Sequence, residues 1–337
     1  MRFNKLLFLF GVFLLLVFIF GCSSSEEALV LDSSLEVEEV ASLDSEVKTL
    51  SDGTKYIIHP DKIRGGGPPK DGIPSIDNPR FVSVDEADEW IEDNELVLAI
   101  DYKGVKRVYP LQIMVWHEIV NDEIAGEKVL ITYCPLCGSG IAYIPEIEVG
   151  GVKEKVNFGT SGKLFNSNLI MYDRRTDTYW QQIDGKAIVG ELVGQELEEI
   201  SIDTVVWRDY KAVFEDAEVL SQQTGYSRSY GKDPYGNYYE DSFLIFPVEN
   251  EDDRVHPKTI IFGVEVDGNF KAYREDDLKK LGSVIDLVGN VSLRVSRDDV
   301  GIVKIVRVDS GLEVVKERDM WFAWYAFHPE TLLYEME

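Results

Sequence analysis

The chain has 337 residues, with 34 Lys and Arg against 61 Asp and Glu and a formal net charge of -27. So acidic a surface excludes nucleic acid and anionic lipid headgroups as charge-driven partners. With 16 Tyr, 16 Phe and 6 Trp the chain can build a substantial core, and its length suits one large domain or two fused ones.

Met1-Arg2-Phe3-Asn4-Lys5 leads into an apolar run from Leu6 to Phe20, broken only by Gly11. A basic start and an apolar run of this length mark a signal peptide over residues 1–21, short for a transmembrane helix. Ile19-Phe20-Gly21-Cys22 has the form of a lipobox, which makes Cys22 the lipid-modified first residue of the mature chain. An uncleaved N-terminal anchor helix is the other reading. Both place the protein outside the cytoplasm, membrane-anchored, at the cell surface or the periplasmic face. Residues 22–50 hold Ser23-Ser24-Ser25, Glu26-Glu27 and Glu36-Val37-Glu38-Glu39 and no aromatic residue, the composition of an acidic flexible tether.

The body spans 51–337. Asp71-Gly72-Ile73-Pro74 to Asn78-Pro79-Arg80 is turn-rich. Ser83-Val84-Asp85-Glu86 is a capping box, opening a helix through Trp90 or Ile91. Leu96 to Asp101 and Val105 to Tyr109 flank Lys103-Gly104 as a hairpin. Pro110 suits the first position of a helix running to about Val120. Asn121 to Glu127 reads as a loop, and Val129 to Tyr133 as a strand. Ile141 to Ile144 and Val152 to Phe158 form a further hairpin about Gly150-Gly151. Gly159-Thr160-Ser161-Gly162 opens a polar loop ending at Asn166-Ser167-Asn168. Thr204 caps a helix through Phe214, on helically spaced Val205, Val206, Tyr210, Val213 and Phe214. Residues 222–257 read as a long loop held to the body by tyrosine rings.

Phe262 to Gly268 with Ala272-Tyr273 echoes Leu98 to Gly104 with Val108-Tyr109, each followed by a helix and a strand. The expected fold is therefore α+β, mostly antiparallel strands with a few short helices. Two related lobes, about 65–220 and 255–337, would come from an internal duplication.

Cys134 and Cys137, in Tyr133-Cys134-Pro135-Leu136-Cys137-Gly138, are the only cysteines besides Cys22. Three chemistries suit the pair. As a metal knuckle it needs further ligands, and zinc or copper are the ions that favour thiolates. His117 is the best-placed partner; a carboxylate is the alternative. As a redox pair it lacks the thioredoxin context, because Gly138-Ser139-Gly140 and a β-like run follow it instead of a helix. As a staple it closes a small disulfide, which an exported protein permits. A candidate pocket comprises Tyr133, Glu118, Asn121, Asp122, Ser161, Asn166, Asp173 and Arg174, small polar groups with an arginine for an anion; turn capping is their other use.

These motifs occur in a recognisable order: Asp71-Gly72-Ile73-Pro74, Trp116-His117-Glu118-Ile119-Val120-Asn121-Asp122, Thr132-Tyr133-Cys134-Pro135-Leu136-Cys137-Gly138, Met171-Tyr172-Asp173-Arg174 and Trp321-Phe322-Ala323-Trp324. In that order they resemble the prokaryotic domain of unknown function 3179 family over about residues 65–335. The resemblance implies no activity. It implies a secreted or membrane-associated protein, and it puts weight on His117, Cys134, Cys137 and Asp173. The leading expectation is a membrane-anchored lipoprotein that binds or handles a metal ion. A thiol oxidoreductase or other enzyme, and a non-catalytic binding or scaffold lipoprotein with a structural disulfide, are the alternatives.

Overall fold

The computed structural model describes residues 47–336. The signal peptide, Cys22 and nearly all of the tether lie outside the described residues. Among the described residues, no helix is long and apolar enough to cross a membrane.

The body is mostly antiparallel β-sheet with a few short helices. Three larger sheets carry its N-terminal part, beside a two-stranded hairpin of Glu146–Val149 and Val152–Lys155 about Gly150-Gly151, in which Ile141 to Ile144 take no part, contrary to expectation. One orders Glu198–Ile200, Ser139–Ile144, Glu127–Cys134 and Ile119–Ile124. A second is built on the Leu96–Tyr102 and Val105–Pro110 hairpin. A third pairs Phe158–Phe165 with Asn168–Asp173, and the latter with Tyr179–Gln181. The C-terminal part is a hairpin, Ile260–Val266 with Asn269–Arg274, and a three-stranded meander, Ser283–Val288, Val291–Arg297 and Val303–Arg307. Hairpin, seven-residue helix and three-stranded meander thus follow one another twice, with Leu111–His117 the first helix and Glu275–Leu281 the second.

The Glu127–Cys134 strand is buried on both faces beyond Lys128, and its residues alternate between two cores. Leu130 and Cys134 join Trp180, Phe158 and Leu169. Val129, Ile131 and Tyr133 join Ile113, Met114 and Ile100. A two-residue period thus places Cys134 in the first core and its neighbour Tyr133 in the second.

Several local expectations are corrected. The Ser83 capping box is present, but its helix stops at Ala87. The helix after Pro110 ends at His117, not Val120, because Glu118 turns left-handed. Ile119–Ile124 is then a strand, where a loop was expected from Asn121; the turn is confined to Ala125 and Gly126, both at positive φ. Thr204 caps no helix. Asp203–Val206 pairs with Leu96–Ala99, and the helix covers only Trp207–Lys211. The β-branched pairs Ile119-Val120 and Val205-Val206 sit at helical spacing yet prefer strands. The expected polar loop at Gly159 is part of the Phe158–Phe165 strand, bulged between Thr160 and Lys163. Residues 222–257 are irregular but for the Gly236–Tyr239 turn, and tyrosines do tie them down. Tyr230 Oη lies 2.7 Å from His117 Nε2, and Tyr238 Oη donates to Leu136 O at 2.9 Å.

Candidate functional site

The Cys-x-x-Cys segment is the turn of a hairpin. Cys134 ends one strand and pairs with Ser139, which begins the next. Cys137 N donates to Cys134 O, and Cys137 O accepts from Met320 N. Both thiols are unbonded and buried, 1% and 0% exposed, with the sulfurs 3.2 Å apart. Their hydrogen-bonding neighbours are neutral: Ser167 O lies 3.5 Å from Cys137 Sγ and 3.8 Å from Cys134 Sγ, and Asn168 Nδ2 lies 3.5 Å from Cys137 Sγ. Asn168 is fixed by Gln181 and Gln182, which extend a buried amide network to Thr132. Burial, with Cys134 alongside, pushes the Cys137 thiol well above its usual range. A catalytic thiolate needs the opposite shift.

His117 does not join the cysteines. Its Nδ1 lies 2.7 Å from Pro74 O and its Nε2 the same distance from Tyr230 Oη, so both ring nitrogens are engaged. A Pro74 carbonyl can only accept, so Nδ1 carries the hydrogen and Nε2 accepts from Tyr230. Burial lowers the His117 pKa and keeps the ring neutral. Among the described residues, no three His, Cys, Asp or Glu side chains are gathered to hold a metal ion. The sulfurs are also closer than the ~3.8 Å that two thiolates span on a tetrahedral zinc with 2.3 Å bonds. The expected set of Cys134, Cys137 and His117 is thus not assembled as a metal centre.

The expected polar pocket is largely a set of structural caps. Asp173, fully buried, accepts from Arg175 N, Thr176 and the Trp180 indole. Arg174 pairs with Asp71 and reaches Ser75. Asn121 clamps Phe158 through both its N–H and C=O and also donates to Asp77. Asp122 holds Arg107 and Tyr109. Ser161 donates to Ile170 O, and Asn166 ties Ala326 to Glu249. Tyr133 lines a separate hollow of about 600 Å³ with Asp233 and Arg318.

Glu118 is different. It caps the Leu111–His117 helix with φ 59, ψ -29, a left-handed backbone in which glycine is the usual residue. Its N donates to Met114 O and its O accepts from Tyr133 N, so the main chain is fixed beside the cysteine strand. Its side chain is 7% exposed and makes no hydrogen bond or ion pair among the described residues. Burial alone pushes the carboxyl up to about 8, with no cation offsetting it. It faces a cleft of about 750 Å³ walled by Trp116, Leu136, Leu164, Tyr235 and Phe246. Leu136 is the tip of the cysteine turn, so the thiols sit directly behind this wall. Trp116 Nε1 is buried without a partner. A larger hollow of about 1270 Å³ along Phe243 to His256 has, among the described residues, no buried, unpartnered polar side-chain atom in its lining.

Trp116, Leu136 and Tyr235 were not among the expected site residues. Trp116 and Leu136 do flank the Glu118 and cysteine motifs, which was the available signal. Tyr235 comes from the long loop, and only the fold brings it there.

No curated protein and no solved structure matches the chain. The motif order described above is that of one family, and the family model described as protein of unknown function, DUF3179, matches residues 70–315: the chain belongs to that family.

Proposed function

We propose that the protein is an exported, membrane-anchored lipoprotein that binds a small organic molecule in the Glu118 cleft. The Cys134–Cys137 pair acts as a staple for the cleft wall. The observation that carries this reading is Glu118: a mostly buried carboxyl with no partner among the described residues, in a backbone conformation that disfavours its residue type, opening on a cleft of ligand size. Strain and an uncompensated carboxyl both oppose folding, so a role in binding accounts for their presence.

The second lobe supports the same reading. We infer that the repeated hairpin, helix and meander descend from one duplicated unit. Gly282 then stands where Glu118 stands: it follows the Glu275–Leu281 helix at φ 65, and its O accepts from Arg297 N at 2.7 Å as Glu118 O accepts from Tyr133 N. One copy keeps the residue the backbone favours; the other carries a glutamate.

The paired sulfurs need only a small approach to form a bond, and an exported protein meets disulfide donors. A closed pair would hold Leu136 in place. Handling of copper or zinc finds no support in this geometry, and thiol catalysis is opposed by the burial of the sulfurs, which have no cation or base beside them among the described residues.

Native mass spectrometry of the protein released from its own membranes tests the binding reading. A retained small molecule is expected in the wild type and reduced or missing in Leu136→Trp, which narrows the cleft. An identical spectrum for both proteins contradicts it.

A further inference from the structure

We propose that the cleft is built for an organic ammonium ion, with the protonated amine set against Glu118 and its apolar body against Trp116 and Tyr235. This rests on the ligand-binding reading above and names the chemistry of its ligand.

The cleft presents one carboxyl and three aromatic rings, Trp116, Tyr235 and Phe246, on otherwise mostly apolar walls. Aromatic faces attract cations through their quadrupole, and a carboxylate supplies the counter-charge. Among the described residues, no cation pairs with Glu118. Lys163 and Arg228 line the same cleft, yet Glu118 makes no ion pair with either, and no neighbouring cation draws its carboxyl down. A carboxylate buried without a partner is costly, so the free carboxyl keeps its proton up to about pH 8. A ligand that brings positive charge stabilises the ionised form, whereas a neutral ligand does not. The body's net negative charge raises the local concentration of cations and so favours encounter with the same ligand class.

The competing chemistry is a ligand that accepts a hydrogen bond from protonated Glu118. The two differ in their pH dependence. An ammonium ion binds the ionised carboxyl, so its affinity rises as pH passes upward through about 8. A hydrogen-bond acceptor binds the protonated form, so its affinity falls over the same range.

Calorimetry with a phenylalkylamine, the alcohol of the same shape and the matching carboxylate separates these outcomes, using the wild type and Glu118→Gln. The amine is expected to bind at least ~10-fold more tightly than the alcohol, about 1.4 kcal/mol, with the preference growing toward pH 8. Glu118→Gln should bind alcohol and amine alike, and retained alcohol binding shows that the cleft is intact. Equal binding of amine and alcohol by the wild type, or an amine preference that survives in Glu118→Gln, overturns the proposal while leaving a binding cleft. Failure of all three compounds, in a protein whose native mass spectrum is also empty, overturns the binding reading itself.

Discussion

At the scale of single residues, Glu118 sets function against stability. Its left-handed backbone costs roughly 1–2 kcal/mol in any residue but glycine, and its buried carboxyl adds to that. Glu118→Gly is therefore expected to raise the urea midpoint by about that energy while removing amine binding. A midpoint that falls would show that the carboxyl supports the fold instead. Glu118 was legible as part of a motif, but its conformation was not. Ile113, Met114, Val115, Ile119 and Val120 keep helical spacing across it, so the pattern runs through the point where the helix stops. His117 was misplaced for a related reason. A histidine at a helix end can face a metal or a carbonyl, and only the packing of Pro74 and Tyr230 decides.

At the scale of elements, the cysteine hairpin and the strand beside it shape the cleft. The turn was readable from Cys134 to Gly140, since Gly138 and the β-like run after it rule out a helix start. What the sequence could not carry was the burial: Asn168, Gln181 and Gln182 come from distant strands to surround the sulfurs. Closing a four-residue loop restricts the unfolded chain by at most about 2 kcal/mol. Oxidised protein should therefore exceed reduced protein in stability by no more than that, and the Cys134→Ser, Cys137→Ser double variant should show no response to reductant. A larger gap, or a reductant effect that persists in the double variant, contradicts the staple. Gly162, on the opposite wall, has φ +73, and a Cβ there would come 2.2 Å from Pro68 O. Gly162→Ala is expected to cost about 2–4 kcal/mol and to weaken ligand binding. An unchanged thermal midpoint would mean that this wall is free to shift.

At the scale of the molecule, the excess of acid is partly internal. Asp319 is fully buried, and neither carboxylate oxygen has a hydrogen-bond partner among the described residues; the same holds for Glu317 Oε2 and Ser139 Oγ. Burial pushes Asp319 up to about 7, with the charge of Arg318 opposing. Glu199 rises to about 8 through burial and Asp319, with Lys316 opposing, and Asp184 to about 6 through burial, with Lys186 opposing. Glu317 is raised by burial and by these same carboxyls. The folded state therefore holds protons that the unfolded chain releases above about pH 4. Stability from this cluster is greatest on the acid side and falls as pH rises toward about 8. Asp319→Asn should flatten that fall in urea melts taken across the range. A slope equal to that of the wild type would show that the cluster is not its source. The antiparallel, strand-rich body was legible from alternation and Gly-centred turns. The clustering of acids was not, because Asp184, Glu199, Glu317 and Asp319 come from three separate parts of the chain.

The ionisation of Glu118 tests the account most directly. A carbon-13 NMR titration of its carboxyl, assigned by loss of the signal in Glu118→Gln, should give a midpoint near 8 in the free protein, displaced downward when a phenylalkylamine is added. A midpoint in the ordinary glutamate range, unmoved by the amine, would contradict it.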